Sequence, residues 1–152
     1  MALEVRPIRR EEVDEGLPLY AGYQRFYGVV HPDDGRNRAF FGRFAAPSEE
    51  GLLLGAWHGG ALVGFACVYW TFSSVSASEI ALMNDLFVAE GLRGQGIGRA
   101  LIEAAATAAR SRGLHHLEWF TAPDNVTAQR LYDSTGAERS TWIAYEIPTR
   151  PD

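Results

Sequence analysis

Apolar and polar positions follow two different periods along this chain, and each period predicts its own kind of element. Compact or alternating apolar runs are typical of strands, and they occur at 5–9, 52–57, 62–70, 80–88, 115–121 and 142–147. Apolar residues at helical spacing predict helices within 10–27 and over 36–46, 97–112 and 125–132. Because strands and helices alternate in the second half, we expect an α/β sheet whose centre includes a parallel pair.

Length and composition indicate one soluble domain. A chain of 152 residues that is 47% hydrophobic and 22% charged can bury a core, and we expect a single domain over 1–152 with 148–152 as a frayed tail. The one cysteine, Cys67, excludes an intrachain disulfide and a cysteine-rich metal site, so no metal is expected. Without a leader pattern or an apolar run of transmembrane length, the expectation is a cytoplasmic protein with no membrane partner.

The charge balance narrows the class of partner. The formal net charge is −5, from 14 basic and 19 acidic residues. A nucleic-acid partner is not expected, because phosphate binding normally needs a basic surface. A small cationic substrate would be mildly attracted to such a protein.

A glycine-rich turn, Arg93-Gly94-Gln95-Gly96-Ile97-Gly98, separates the predicted strand at 80–88 from the helix at 97–112. Bare backbone amides and the positive end of a helix dipole favour a phosphate-sized anion there, and Arg93 adds a positive charge. Glycine also tolerates the positive φ that such a turn requires. The spacing matches neither the dinucleotide fingerprint nor the P-loop. The turn therefore suits a diphosphate, and a tight connection without a ligand is the alternative.

A second segment carries a candidate pair of polar residues on one helix. Asn125 and Tyr132 are seven residues apart, which places them on nearly the same face of a helix, roughly 10 Å apart along its axis. Asn125 is also suited to cap that helix. Taken alone, Tyr132 is better explained as a half-buried core tyrosine than as a catalytic residue.

Together the two segments resemble the GNAT superfamily of acetyl-coenzyme A-dependent N-acetyltransferases. Residues 93–98 match its R/Q-x-x-G-x-G/A signature, and residues 125–137 match its N-x-x-A-x-x-L-Y-x-x-x-G-A pattern. The chain looks most similar to the small members that act on amines, including polyamines. The resemblance implies a mixed, mostly antiparallel central sheet with a splayed parallel pair and helices on both faces.

The resemblance also implies an activity and a donor. We expect transfer of acetyl from acetyl-coenzyme A to a primary amine of a small molecule, by direct attack in a ternary complex. The backbone of Leu86, Phe87 and Val88 would pair with the pantetheine arm, and an amide near Phe87 would polarise the thioester carbonyl. Tyr132 matches the position of a general acid that protonates the departing thiolate. The other residues expected to hold the cofactor are Arg93, Gly94, Gln95, Gly96, Ile97, Gly98 and Asn125, with Tyr132 beside them.

The general base is the open question of this mechanism. An alkylamine with a pKa of about 10.4 is mostly protonated at pH 7, and making it neutral costs roughly 4–5 kcal/mol. Some amine-acting relatives carry a glutamate where this chain has Asn84, which cannot act as a base. The candidates are Asp85, Glu79, His31 or a water chain. By strand alternation, Asp85 should point to the opposite side from Asn84.

Substrate contacts are expected from the first half of the chain and from the strand before the glycine turn. Tyr27, His31 and Asn84 are the candidate substrate residues, and nearby aromatic side chains could hold a cation, although many aromatics simply build a core. The alternatives are acetylation of a protein lysine or N-terminus, a non-catalytic acyl-coenzyme A-binding module, and a nucleotide-binding module. A homodimer is expected through the exposed edge of the C-terminal strand.

Overall fold

The structure, a computed structural model, describes residues 2–151. The chain divides into two compact units, Met1–Phe120 and Thr121–Asp152. The single domain expected over 1–152 therefore stays a prediction. In the expected tail, 148–151 forms neither helix nor strand, and Asp152 lies outside the described residues.

A five-stranded sheet is the framework of the first unit. Its order is β1-β2-β3-β4-β5. The strands are β1 Leu3–Pro7, β2 Gly51–His58, β3 Ala61–Ser73, β4 Ser78–Val88 and β5 Leu117–Glu118. The first three pairings are antiparallel, and β4 with β5 is the expected parallel pair.

Helices flank both faces of this sheet, as expected. They are a 3₁₀ segment Arg10–Gly16, then α1 Leu17–Phe26, α2 Asp34–Gly42 and α3 Ile97–Ser111, while α4 Val126–Asp133 belongs to the second unit. Gly22 of α1 faces the Phe87 ring, whereas Gly64 of β3 faces Ile97 and Leu101 of α3. Because adjacent residues of a strand point to opposite faces, α1 and α3 cover opposite sides of the sheet.

The core under α1 and α2 is aromatic. The ring of Tyr20 stacks on Phe41 at 4.1 Å between centroids and meets the edge of Phe65 at 5.1 Å. All three side chains are buried. Such pairs add about 0.5–1.5 kcal/mol beyond burial of apolar area, so this cluster fixes where α1 lies over β3 and β4.

Two of the strand predictions are wrong: one strand is shorter than predicted, and the other is not formed. The strand expected over 115–121 forms only at Leu117–Glu118, because its parallel pairing with β4 is limited to Ala81 and Leu82. The strand expected over 142–147 is not formed, and Trp142 and Tyr145 are 84% and 90% exposed. An alternating sequence becomes a strand only where a neighbouring edge accepts its backbone hydrogen bonds. The homodimer expected through that edge stays a prediction.

No helix within residues 2–151 combines the length and the apolar character that crossing a bilayer requires.

Candidate active site

The glycine turn adopts the backbone that its composition predicts. Gly94 and Gly96 have φ of +79° and +84°, which L side chains rarely adopt, and Gly98 lies in the first turn of α3. Gly96 is the N-cap of α3, and its carbonyl accepts from the Ala100 amide at 3.0 Å. The turn therefore leads directly into α3, and the N-terminus of this helix faces outward.

The amides of this turn are available to a ligand. The amides of Gly94 and Gly96 donate no hydrogen bond to residues 2–151, and Gln95 follows a hydrogen-bonded turn at 93–94. A Cβ placed on Gly94 or Gly96 would meet nothing within 4 Å, so open space lies beside both residues. Free amides at a helix N-terminus next to open space form a cradle for an anion such as a diphosphate.

Arg93 turns away from this cradle toward the end of β4. Its Nε donates to the Val88 carbonyl at 3.0 Å, and its guanidinium lies 5.3 Å from the centroid of the Phe87 ring. The positive charge expected beside the turn is thus fixed against the last residues of the strand.

The outer edge of β4 is open near its end. The Ala89 amide donates to the Val63 carbonyl at 2.8 Å. Because residues of an antiparallel strand direct their backbone N–H and C=O groups alternately to either side, those of Phe87 point toward β3 and those of Leu86 and Val88 point outward. Within Met1–Phe120, β5 pairs with this edge only at Ala81 and Leu82. An extended ligand can therefore pair with both outward groups of Leu86 and with the Val88 amide, whereas the Val88 carbonyl already accepts from Arg93. The polarising amide expected near Phe87 stays a prediction.

A bulge in β4 changes the expected direction of Asp85. Cys67 of β3 pairs with Asp85 and Val68 pairs with Met83, so Asn84 has no partner of its own across the ladder. A bulge inserts one residue and reverses the alternation beyond it. Asp85 therefore lies on the α1 side of the sheet. In a regular strand this side would be occupied by the side chain at position 84, where some relatives carry a glutamate.

Asp85 is a buried carboxylate in a polar setting that carries no opposing charge. It is 4% exposed, and the Asn84 amide Nδ2 donates to its Oδ1 at 2.9 Å. The Tyr23 hydroxyl donates to the Asn84 carbonyl oxygen at 3.4 Å and is near enough to Asp85 to affect the pKa of its carboxyl group. Burial raises the pKa of Asp85 above its ordinary value, while the hydrogen bonds from Tyr23 and Asn84 oppose this increase.

The ionisable neighbours of Asp85 lie in the same low-dielectric surroundings, which shift their pKa values. Burial raises the pKa of the Tyr23 and Tyr69 phenols, and the negative charge of Asp85 adds to both shifts. Burial likewise raises the pKa of the Cys67 thiol, which lies across the ladder from Asp85. These groups are neutral at pH 7, so Asp85 is the ionisable group of this cluster.

The other candidate residues divide into those near Asp85 and those apart from it. Tyr27 ends α1 and its ring lies 5.1 Å from that of Tyr23, so the structure brings it to the same cluster. His31 is exposed in the connection between α1 and α2. Glu79 lies six positions before Asp85 on β4, about 20 Å away along the strand. Its Oε1 accepts from Arg112 Nε at 2.6 Å, which engages it in a separate ion pair.

The remaining candidates belong to the second unit. Asn125 is the N-cap of α4, as predicted, and its Oδ1 accepts from the Ala128 amide at 3.2 Å. Tyr132 lies half-buried in the last turn of the same helix. Sequence reasoning includes Tyr23 only among several aromatic side chains, and its contact with Asp85 depends on a bulge that no residue pattern signals.

The sequence model described as the acetyltransferase (GNAT) family matches residues 17–137. The chain belongs to the GNAT family. It is an acetyl-coenzyme A-dependent N-acetyltransferase, in agreement with the activity implied by its two motifs. The match spans both the glycine turn and α4.

Two relatives of this GNAT protein are similar to it along most of their length. The uncharacterized N-acetyltransferase YhfO of Bacillus subtilis (strain 168) is 32% identical over 143 residues, 94% of this chain and 95% of that protein. The D-amino-acid N-acetyltransferase HPA3 of Saccharomyces cerevisiae (strain ATCC 204508 / S288c) is 32% identical over 130 residues, 84% of this chain and 80% of that protein. The structure of aminoglycoside N-acetyltransferase AAC(6')-Iy in complex with CoA gives a TM-score of 0.80 over 98% of this chain and 96% of that chain. At 18% identity this last likeness shows the shared fold.

Acetyl-coenzyme A is the acetyl donor of GNAT enzymes, and two features of this chain fit it. The cradle at Gly94 and Gly96 offers free amides and open space to a diphosphate. The outward groups of Leu86 and Val88 offer an edge to the amide-bearing pantetheine arm.

Proposed function

We propose that this enzyme acetylates the primary amine of a small molecule by direct attack in a ternary complex, with Asp85 as the group that accepts the amine proton. The observation that carries this proposal is the bulge at Asn84. It brings a buried carboxylate to the α1 side of β4, directly before the open edge at Leu86 and Val88. A proton acceptor is thereby placed on the same stretch of strand as the acyl-binding edge.

The acidity of Asp85 supports this role. Removing the proton of an alkylammonium at pH 7 requires roughly 4–5 kcal/mol, so the enzyme needs a group that receives it. A carboxylate whose pKa is raised by burial is a stronger base than an exposed one, and the neighbouring Tyr23 and Asn84 side chains limit this increase in the pKa of Asp85. The Tyr23 ring lies 5.1 Å from that of Tyr27 at the exposed end of α1, and its hydroxyl donates to the Asn84 carbonyl beside Asp85, so this hydroxyl is the candidate proton relay.

Direct attack is supported by the state of the only thiol. Cys67 is fully buried, and burial raises its pKa, so little reactive thiolate exists at pH 7. A covalent acetyl-cysteine intermediate would require an accessible thiolate. The amine is therefore the nucleophile in this proposal.

The remaining roles are assigned to the motifs. When bound, the coenzyme supplies an acetyl group activated as a thioester. Amides of the glycine turn hold the diphosphate, and Leu86 and Val88 orient the pantetheine arm. Tyr132 Oη holds a proton for the leaving group, since a phenol with a pKa near 10 can protonate a thiolate whose conjugate acid has a pKa near 8.5.

The size of the acceptor is inferred from access to Asp85. The carboxylate is 4% exposed and the neighbouring Tyr23 is half-buried, and so buried a group favours a slim amine over a broad protein surface. The similarity to a D-amino-acid N-acetyltransferase also supports a small acceptor. Acetylation of a protein lysine or N-terminus, or acyl-coenzyme A binding without turnover, are the competing functions.

The test measures thiol release from acetyl-coenzyme A with small primary amines, amino acids and a lysine-containing peptide, and coenzyme A binding by calorimetry. We expect turnover with a small amine and intersecting lines in two-substrate initial-rate plots. Parallel lines would argue for a covalent intermediate. Turnover with the peptide alone would support a protein acceptor, and tight binding without any turnover would support a binding module.

A further inference from the structure

Four apolar side chains are exposed together at the end of α1. Phe26, Tyr27, Val29 and Val30 are 58%, 60%, 44% and 76% exposed, and we call them the apolar rim. Segment 26–30 contains no charged side chain. Contiguous exposed apolar groups of this kind are typical of binding surfaces.

The apolar rim connects directly to Asp85. The Tyr27 ring lies 5.2 Å from Phe26 and 5.1 Å from Tyr23, whose hydroxyl donates to the carbonyl of Asn84, the residue that holds the Asp85 carboxylate. Tyr23 also meets the edge of the Phe87 ring at 6.2 Å. A continuous aromatic path therefore leads from the exposed rim to the buried carboxylate.

The geometry of the rim is fixed by the end of the helix. The Gly28 amide donates to the Arg25 carbonyl at 3.0 Å, and the Val29 amide donates to the Gln24 carbonyl at 3.0 Å. Gly28 has a φ of +91°, which completes a Schellman motif. The backbone on both sides of Gly28 is thus held by hydrogen bonds before a ligand binds. A ligand that covers the rim therefore loses little binding free energy to ordering this segment.

The charges around the path favour an acceptor with one ammonium group. Among residues 2–151, no arginine forms an ion pair with Asp85, so its negative charge is free to attract one ammonium. Beyond the rim, Asp33 is engaged as the N-cap of α2, where its Oδ1 accepts from the Arg36 amide at 2.9 Å. The acidic residues that follow the rim, Asp33 and Asp34, lie at the start of α2 and outside segment 26–30. A second ammonium placed on this segment would lose hydration without a carboxylate in the segment.

We propose that the acceptor is a primary monoamine with an extended apolar or aromatic body, whose ammonium approaches Asp85 while its body lies on the apolar rim. This inference rests on the proposed function, because it assigns the acceptor of that same site. It separates the protein from enzymes whose acceptors are polyamines.

The test compares kcat/KM for linear primary amines from ethylamine to hexylamine, whose ammonium pKa values are nearly equal, and for 1,5-diaminopentane. Burial of each methylene should raise kcat/KM about fourfold until the rim is covered. The diamine, which replaces the terminal methyl of hexylamine by an ammonium, should fall about tenfold or more below hexylamine. The double variant Phe26→Ser, Tyr27→Ser should flatten the dependence on chain length. Phe72→Ser, at an exposed phenylalanine of β3, is the matched control and should keep it.

The outcomes separate this inference from the proposed function. Equal rates along the series, or a preference for the diamine, would overturn the monoamine assignment while small-amine acetylation stands. Loss of the chain-length dependence in Phe72→Ser as well would overturn the role of the rim. Turnover with a peptide but with no free amine would overturn both proposals.

Discussion

The side-chain amide of Asn84 donates to the carboxylate of Asp85 at 2.9 Å, although the two residues are adjacent in one strand. In a regular strand their side chains would point to opposite faces. The bulge removes this separation, places Asp85 on the α1 side, and leaves Asn84 to hold the carboxylate in position. In the proposed mechanism, Asp85, held by Asn84, would take the role of the glutamate that some relatives carry at the position of Asn84.

Asp85→Asn tests the proton acceptor. We expect kcat/KM for the best amine to fall by about 10²–10⁴-fold, the usual contribution of a positioned base, with little change in coenzyme A affinity. Glu79→Gln, which changes the other carboxylate considered on this strand, should stay within about twofold, because an exposed ion pair with Arg112 contributes little. Steady-state kinetics and calorimetry measure both effects. An equal loss in the two variants would remove Asp85 from its role.

The stability of Asp85→Asn should depend on pH with a defined sign. The pKa of Asp85 is raised above its ordinary 3.8, so folding is favoured by the protonated carboxyl and this contribution is lost as pH rises from 3.8 through the folded-state pKa. The asparagine variant has no such loss. Its melting temperature relative to the wild type should therefore increase from about pH 4 to about pH 8 in a calorimetric series. A difference that stays constant, or that decreases, contradicts the raised pKa.

Tyr23→Phe should move the acid limb of the pH–rate profile to higher pH. The hydrogen bond from Tyr23 lowers the pKa of Asp85, and its removal leaves burial less opposed. Since Asp85 must be ionised to accept a proton, the kcat/KM profile then starts to rise at a higher pH. Asn84→Ala should shift the limb in the same direction, because it removes the second donor. Superimposable acid limbs in the three proteins would contradict this coupling.

Substitutions at Gly96 test the diphosphate cradle. Gly96→Val forces a β-branched residue to a φ of +84° and should weaken coenzyme A binding about tenfold or more. Gly96→Asn separates backbone strain from filling of the cradle, because asparagine tolerates this backbone while its side chain fills the open space. This variant should have a higher melting temperature than Gly96→Val and should still bind coenzyme A more weakly than the wild type. Gly91→Ala, also beside open space but without a positive φ, serves as the control. Unchanged affinity in both Gly96 variants would refute the cradle.

Tyr132→Phe tests the proton donor. We expect kcat to fall about 10²-fold with little change in coenzyme A affinity, since only the phenolic proton is removed. Tyr145→Phe is the matched control, because that tyrosine is 90% exposed and lies outside the motifs. Rapid-mixing measurements would show whether the acetyl-transfer step itself slows. Equal turnover in wild type and Tyr132→Phe would assign Tyr132 a packing role.

Sequence alone predicted the elements that short-range interactions determine. The strands β2 and β3, the positive φ of Gly94 and Gly96, and the cap that Asn125 forms on α4 all follow from residues a few positions apart. The segments expected to bind the cofactor are of this kind. Residue types and their spacing are therefore sufficient to recognise its motifs.

Tertiary structure decided the acceptor half and the length of the last strands. The direction of Asp85 depends on how β4 pairs with β3, and β5 extends only as far as its pairing with Ala81 and Leu82. The alternation at 142–147 satisfied the pattern of a strand and still formed none. These outcomes depend on hydrogen bonds between segments far apart in the chain, which local periodicity does not encode.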